Sequence, residues 1–186
     1  MCYFRMPEED LKSLIDFLER EHMSDGGFNC RSNRSGAVHS SMHSTISVLE
    51  GLYEYLRNSY TYKKASVKRM IESSNRFLLE HRLYKSDKSG QIINSGFLKL
   101  SYPSRWRYDI LRALDYFQYS KVPWDNRMQD ALDVLMMKRR KDGRWNLQAY
   151  HPGKLHFKME QAGKASRITT LRVLRILKHF DKLELL

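Results

Sequence analysis

Two stretches of sequence occur near the start of the chain and then return. They are Asp25-Gly-Gly-Phe-Asn-Cys30 and His43-Ser-Thr-Ile-Ser-Val-Leu-Glu-Gly-Leu52. Asp142-Gly-Arg-Trp-Asn-Leu147 repeats the first, and Arg167-Ile-Thr-Thr-Leu-Arg-Val-Leu-Arg-Ile-Leu177 repeats the second. A degenerate copy ends in Tyr108-Asp-Ile-Leu-Arg-Ala-Leu-Asp-Tyr-Phe117. Because both halves recur in the same order, the sequence predicts a repeat architecture.

Apolar residues follow a helical period in every copy. Behind Pro7, the i, i+3, i+4, i+7 stripe consists of Leu11, Leu14, Ile15 and Leu18. Ile46, Leu111 and Leu171 are matched between copies, which gives steps of 65 and 60 residues. We therefore predict an all-α single domain over residues 1–186, with helix-pair repeats at about 7–57, 64–118 and 123–180.

The repeat pattern carries finer expectations. We expect at least six helices and no β-sheet, with each Asp-Gly turn at the end of the first helix of its pair. A strand pairing in the core would contradict this arrangement. In the last helix, at about 166–180, the residues expected to face inward are Leu171, Leu174, Leu177 and Phe180.

The chain is strongly basic. It has 186 residues and a net charge of +12, and residues 138–186 hold 13 Lys or Arg against 4 Asp or Glu, so +9 of the +12 lies there. This charge fits an anion-binding face or a solvated helical surface, and no nucleic-acid motif accompanies it. The beginning of the chain lacks the pattern of a signal peptide, and no long apolar run suggests a membrane span, so we expect a cytoplasmic protein.

The repeats resemble a known family. Residues 131–145, which end in Asp142-Gly-Arg-Trp145, are similar to the repeat of terpenoid cyclases and protein prenyltransferase β-subunits. The segment that ends in Asp25-Gly-Gly-Phe28 fits the same repeat, and the helix that opens at His43 resembles the prenyltransferase inner helix that opens with a zinc-ligand His. The resemblance implies an α/α toroid, of which this chain would supply about three helix pairs.

The resemblance also implies an isoprenoid ligand, and an enzyme of this kind would be a transferase or a cyclase. Two family motifs are missing, however: the acidic Asp-x-Asp-Asp of the cyclases and the Asp-x-Cys zinc motif of the prenyltransferases. The match is therefore closer in fold than in activity. Half a toroid exposes the apolar flanks of its end pairs, so we expect a homo-oligomer or a partner chain that completes the ring.

Cys30, His39 and His43 form a candidate zinc site. Histidines four residues apart share one helix face, provided that the helix begins before His39. A Cys with two His and one open position is a catalytic zinc pattern. The alternative is that Cys30 is a packed thiol, His39 a loop residue and His43 a hydrogen-bonding residue at the helix start.

The segment Arg105-Trp-Arg-Tyr-Asp109 leads into a helix that the family geometry would point at a cavity. Trp106 and Tyr108 can line an apolar wall, and Arg105, Arg107 or Arg167 can hold an anionic head. Asp109 is the candidate catalytic acid. The alternative is aromatic packing beside a surface ion pair.

The recurring turn residues have a structural explanation. Asp25 and Asp142 fit carboxylates that bind backbone N–H groups in a turn, rather than catalytic acids. Phe28 and Trp145 fit aromatic residues that hold helix pairs together.

The sequence is compatible with two functions. The first is an isoprenoid-binding protein of the prenyltransferase or terpenoid cyclase kind, an enzyme or a fragment of one, which takes a prenyl chain or another amphiphilic anion. The second is a non-catalytic α/α toroid module that binds a partner through its basic face. Convergence of the candidate residues on one concave space would favour the first.

Overall fold

The amphipathic segments form seven α-helices, one of them a single turn, in the part of the chain that the structure describes. A computed structural model describes residues 1–151, 153–154 and 156–186, without the side chains of residues 33 and 34. The helices are α1 (Glu8–Glu21), α2 (Ser32–Ser35), α3 (Met42–Arg57), α4 (Lys64–Glu80), α5 (Ile110–Tyr119), α6 (Gln129–Met137) and α7 (Arg167–His179). The predicted all-α class is confirmed, and the toroidal arrangement remains a prediction.

Within the described residues, none of the helices combines the length and the apolar character that crossing a bilayer requires.

Contacts divide the chain into two compact units. Unit 1 comprises Met1–Leu78, and unit 2 comprises Leu79–Leu186. In unit 1, α1 begins behind Pro7 and carries three acidic residues in its first turn, where the helix dipole favours them. The core of unit 1 includes Leu11, Ile15, Phe28, Leu52, Tyr55, Val67 and Met70.

Glu8 anchors the start of α1 to the segment before α4. Its carboxylate accepts hydrogen bonds from the backbone N–H of Tyr62 (2.8 Å) and of Thr61, and from the Tyr55 hydroxyl (3.0 Å). These bonds favour the charged form and lower the pKa of Glu8 to about 2.

In unit 2, α5 packs against α7. The guanidinium Nε of Arg172 lies 2.9 Å from Asp115 Oδ2, and Arg175 Nη2 lies 3.0 Å from Gln118 Oε1. Arg172 and Asp115 are mostly buried, with side chains 13% and 21% exposed, so this pair fixes the two helices side by side.

Three turns share one hydrogen-bond pattern. In each turn, the backbone N–H of a residue that follows a helix donates to the carbonyl of a residue four or five positions later in the sequence. A glycine with positive φ lies between the two residues. The bonds are Met23 N to Gly27 O (3.0 Å), Ser86 N to Gln91 O (2.8 Å) and Arg140 N to Arg144 O (2.8 Å). The glycines are Gly26, Gly90 and Gly143, at φ 96°, 67° and 77°. The middle turn is one residue longer, which explains why its sequence copy is degenerate.

The aromatic residue after the turn is tied to the second helix of the repeat. Phe28 N–H donates to Thr45 Oγ1 (3.0 Å), and Trp145 N–H donates to Thr170 Oγ1 (3.1 Å). Each threonine lies four residues after the serine that precedes its helix. The indole N–H of Trp145 also donates to the carbonyl of Leu135 (2.6 Å), so Trp145 connects α6 to α7.

The helix caps correct the alignment of the middle copy. Ser41, Asp109 and Ser166 are the N-cap residues of α3, α5 and α7. The residues five positions after the caps are Ile46, Leu114 and Leu171, so the predicted match of Leu111 with Ile46 and Leu171 is wrong. An apolar stripe recurs every three or four residues, and it therefore allows a shift of three that the caps exclude.

The expectation of no β-sheet is also wrong. Trp145–Asn146 and Ala165–Ser166 form a two-stranded antiparallel ladder, in which Trp145 is paired with Ser166. Both of these residues are fully buried. The ladder brings the segment after the turn alongside the residues that precede α7, and two residues per strand are too few for the alternation that reveals a strand in a sequence.

The inward face predicted for the last helix is only partly right. Leu177 and Phe180 are buried, whereas Leu171 is 58% exposed. The buried positions of α7 also include Thr169, Val173 and Ile176. Leu171 thus lies on the outer side of α7, although Ile46 and Leu114 at the equivalent position are completely buried.

Candidate functional site

The segment before α5 contains the residues predicted to bind a ligand. Arg105 has a left-handed backbone (φ 52°), and its Nη2 donates to the carbonyl of Lys154 (2.9 Å). Trp106 is 60% exposed, and the guanidinium of Arg107 lies 4.9 Å from the centre of its ring. This segment therefore presents an aromatic ring and two guanidinium groups beside the loop that precedes α7.

Tyr108 does not line a cavity wall as predicted. It is 2% exposed, its hydroxyl donates to the carbonyl of Leu83, and its ring meets the ring of Phe97 edge to face at 5.0 Å. Burial raises the pKa of Tyr108 well above its ordinary value. Tyr108 acts as a core residue that secures the start of α5 to the segment after α4.

Asp109 is the N-cap of α5. Its Oδ1 accepts a hydrogen bond from the backbone N–H of Arg112 (2.8 Å), as a capping carboxylate does. Burial raises the pKa of Asp109 to about 6, and the nearby guanidinium of Arg172 opposes that shift. Its Oδ2 is buried and has no hydrogen-bond partner among the described residues. The group is chemically suited to donate a proton, but it is only 1% exposed.

A cavity of about 200 Å³ opens beside this segment. We call it the loop cavity, and it is lined by Tyr102, Pro103, Leu147, Tyr150, His156, Phe157, Met159 and Glu160. Its walls are mainly aromatic and apolar. Phe157 and Met159 are 72% and 56% exposed, so apolar side chains also surround the opening.

Two polar atoms of this loop are buried without a hydrogen-bond partner among the described residues. They are the Tyr150 hydroxyl and His151 Nε2. Burial lowers the pKa of His151, and the positive charges of Arg107 and Arg105 lower it further. Unsatisfied buried polar atoms are uncommon in folded proteins, and one cause is a partner that is not part of the chain.

The N-terminus of α7 is already occupied by a carboxylate. Glu160 Oε1 accepts hydrogen bonds from the backbone N–H groups of Arg167 (2.7 Å) and Ile168 (3.3 Å). Its Oε2 accepts from the Ser166 hydroxyl. The side chain of Arg167 is exposed, and neither Arg167 nor Trp106 lines the loop cavity.

Gly153 allows Arg105 to lie against the loop. A Cβ on Gly153 would lie 2.2 Å from Arg105 Nη1, so any larger residue would displace the guanidinium. Gly153 also has φ 126°, which side chains rarely tolerate.

The proposed zinc ligands are not gathered. Among the described residues, no group of three or more His, Cys, Asp or Glu is placed to hold a metal ion. The helix α3 begins at Met42, so His39 precedes it and does not share its face with His43. The carbonyl of His39 accepts from Asn29 Nδ2 (2.7 Å), and the N–H of Cys30 donates to Ser44 Oγ (3.1 Å).

No family model, no curated protein and no solved structure matches this chain. The likeness to terpenoid cyclases and prenyltransferase β-subunits therefore still depends on the motifs alone.

The aspartates of the two clear turns have structural partners. Asp25 accepts from the backbone N–H (2.8 Å) and the hydroxyl of Ser40, which closes the long loop before α3. Asp142 accepts from the backbone N–H of Arg144 (3.1 Å) and from the guanidinium groups of Arg140 and Arg144. Both bonding patterns fit the predicted turn role.

Two of the predicted ligand-binding residues contact the loop that carries the cavity: Arg105 through its guanidinium and Arg167 through its backbone N–H, which donates to Glu160. None of the predicted ligand-binding residues lines the loop cavity itself, so they do not converge on that concave space. Sequence reasoning missed Tyr150 and His151, because they lie in a polar loop with no apolar period. The only available signal was the presence of aromatic residues, Tyr150 and Phe157, in a loop that is otherwise polar.

Proposed function

We propose that this protein binds an amphiphile, namely an isoprenoid or similar short apolar group with an anionic head, at the loop cavity of unit 2. The observation that carries the proposal is the aromatic cavity beside the buried hydroxyl of Tyr150, which has no hydrogen-bond partner among the residues that the structure describes. Sites of this kind combine apolar walls with a few placed polar groups. The resemblance to prenyltransferases and terpenoid cyclases favours an isoprenoid over other amphiphiles.

The cations that suit the anionic head are Arg105 and Arg107. Arg105 donates to the carbonyl of Lys154 in the loop that carries the cavity, and the charges of both arginines lower the pKa of His151 in that loop. Guanidinium groups bind phosphate oxygens through paired, charge-assisted hydrogen bonds. Arg167 is less suited than predicted, because Glu160 already satisfies the backbone N–H groups at its helix end.

The size of the cavity limits the apolar part. A volume of about 200 Å³ is below the usual range for ligand sites, about 300–1,000 Å³. A short branched group therefore fits inside, whereas a longer tail would extend over the exposed rings and side chains at the opening. Burying each methylene contributes about 0.8 kcal/mol, so a five-carbon group gains up to about 4 kcal/mol before binding costs.

The proposal is for binding, and turnover is a separate question. If the protein is a transferase or cyclase acting on an isoprenoid, Asp109 is the candidate proton donor, because its raised pKa of about 6 keeps more of it protonated than an ordinary aspartate. Its burial and its capping bond favour a structural role.

Calorimetric titration tests the proposal with dimethylallyl diphosphate, farnesyl diphosphate and pyrophosphate. We expect both prenyl compounds to bind at least about tenfold more tightly than pyrophosphate, because only they bury apolar surface. Arg107→Ala should weaken binding by roughly 10- to 100-fold, as loss of a charged hydrogen bond does, and Lys88→Ala is the control for net charge. Arg167→Ala should change the affinity less than about twofold. Equal binding of pyrophosphate and the prenyl compounds would contradict the cavity proposal.

The second candidate, an interaction module with a basic face, is favoured by one specific observation. The helix α7 contains four Lys or Arg and no acidic residue, and its exposed residues include Arg167, Leu171, Arg175 and Lys178. If the titration fails, this surface is the remaining functional feature of unit 2. Pull-down with the Arg175→Glu, Lys178→Glu double variant as the control tests it, because a real partner should be lost with the charge reversal.

A further inference from the structure

We infer that a groove in unit 1 binds the exposed face of α7 from a second copy of this chain. The groove and the α7 face share no residue with the loop cavity, so the inference does not depend on ligand binding there. It rests on three observations: the shape of the groove, its charge, and the exposure of one repeat position.

The groove lies between α1 and α3. It encloses about 530 Å³ and is lined by apolar residues from both helices, which include Leu11, Leu14, Ile15, Val48, Gly51 and Leu52. A second cavity of about 250 Å³ shares Leu18 and Val48 with it, so the groove continues toward Cys30. We call both together the α1–α3 groove. Its size and apolar lining suit side chains that project from a helix.

The charge of the α1–α3 groove is opposite to that of the chain. The acidic side chains that line it are Glu21, Glu50 and Glu54, and no Lys, Arg or His side chain lines it among those that the structure describes. Two cations lie nearby: the α-amino group of Met1, a residue that also lines the groove, and Arg57, which pairs with Glu54 at 3.3 Å, so the acidic excess is modest. The whole chain carries +12. An acid-lined apolar groove in such a chain is complementary to a helix with an apolar residue among cations.

The exposed face of α7 has that composition. We call Arg167, Leu171, Arg175 and Lys178 the α7 stripe, because all four are exposed and lie three or four residues apart on one side of the helix. Leu171 is 58% exposed in the middle of it. Cations flank this leucine on both sides, as the groove requires.

The repeat indicates that another helix belongs on the α7 stripe. Ile46 in α3 and Leu114 in α5, at the position equivalent to Leu171, are both completely buried. A side chain that is covered in two copies and exposed in the third marks a face that the repeat normally buries. A second copy offers such a cover with the matching charge, since its α1–α3 groove is apolar and acidic.

The resulting contact is heterologous, because one surface of the first copy meets a different surface of the second. Two chains of +12 also repel each other at long range. At about 0.15 M salt the screening length is roughly 8 Å, so the repulsion is weakened while closely packed charges still attract. Association should therefore be measured at that ionic strength.

Sedimentation velocity of the full chain over a concentration series tests the inference. We expect reversible association of the wild type below about 0.1 mM, since protein interfaces of ordinary size bind in the micromolar range or more tightly. Leu171→Glu and Gly51→Leu should each raise the dissociation constant at least about tenfold. No atom lies within 4 Å of a Cβ at Gly51, so a side chain can begin there without a clash, and that of leucine extends into the groove.

Matched controls separate the interface from general effects. Val38→Glu makes the same change at an aliphatic residue that is 75% exposed and lines neither surface, and Gly51→Ala adds only one methyl group. Both should associate like the wild type. Thermal melting of each variant shows whether the fold is retained.

Mixing the two interface variants gives the decisive result. Leu171→Glu keeps an intact groove and Gly51→Leu keeps an intact α7 stripe, so the mixture should form 1:1 complexes although each variant alone does not. Failure of the mixture to associate, or normal association of Gly51→Leu, would overturn the inference. A wild type that stays monomeric to about 0.1 mM would also overturn it, and would leave the groove to a small ligand, for which dodecyltrimethylammonium is a suitable probe.

Discussion

A single substitution can remove the hydrogen bond that ties the aromatic residue after the turn to the second helix of the repeat. Thr45 is completely buried, and its Oγ1 accepts the backbone N–H of Phe28 at 3.0 Å. Thr45→Val keeps the shape of the side chain and replaces this acceptor with a methyl group. The Phe28 carbonyl keeps its bond from the N–H of Ser41 (2.8 Å), so the change isolates one buried N–H.

The magnitude follows from the burial of that N–H. A buried donor left without an acceptor costs about 1–3 kcal/mol, and the similar volume of valine adds little. We expect a loss of about 2 kcal/mol in the free energy of unfolding. For a chain of this size, that corresponds to a fall of roughly 4–8 °C in Tm.

Denaturant unfolding and calorimetry measure the effect, and Thr170→Val provides the comparison. Thr170 accepts the N–H of Trp145 at 3.1 Å but is only partly buried, so water can replace its hydroxyl and the loss should be smaller. A Thr45→Val protein within about 0.5 kcal/mol of the wild type would refute the reasoning. A larger loss in Thr170→Val than in Thr45→Val would refute it as well.

Three further perturbations have defined outcomes. A Cβ at Gly27 would lie 2.6 Å from Thr45 Oγ1, so Gly27→Ala should lower stability in urea by about 1–3 kcal/mol, whereas Gly51→Ala should raise it by up to about 1 kcal/mol through helix propensity. The raised pKa of Asp109, about 6, means that the folded state binds its proton more tightly, so the contribution of Asp109 to stability falls as pH rises from about 4 to about 6. In a series of Tm measurements, the difference between the wild type and Asp109→Asn should therefore shift against the wild type over that range. The lowered pKa of Glu8, about 2, has the opposite sign, so its contribution is present above pH 4.5 and is lost as pH falls toward 2. The difference in Tm between the wild type and Glu8→Gln should therefore shrink over that window, because the other carboxylates affect both proteins alike.

The sequence predicted the features that local chemistry determines. Turn glycines and the apolar period correctly indicated helices, with Asp-Gly turns after α1 and α6. The apolar period does not show which elements pack against a helix. For this reason Leu171 was predicted to face inward, whereas it is exposed. Whether an apolar side chain is covered depends on long-range packing, and one sequence does not contain that information.

The candidate site was predictable only in outline. Arg105 contacts the loop that precedes α7, and Tyr108 belongs to the core instead of a cavity wall. The wall contributed by Tyr150 comes from a loop whose path depends on contacts between distant residues, such as the pairing of Trp145 with Ser166. No periodicity encodes that path.

The carboxylates beside the second helix of each repeat decide where an anion can bind. Asp109 Oδ1 accepts the third N–H of α5, and Glu160 accepts the first two of α7. Near α3, Asp25 accepts the N–H of Ser40, just before the N-cap. Helix N-termini are ordinary sites for phosphate, but a carboxylate already placed there competes for the same donors and repels a second anion. The proposed anionic head would therefore bind away from these helix ends, at side-chain cations such as Arg107 on the segment before α5.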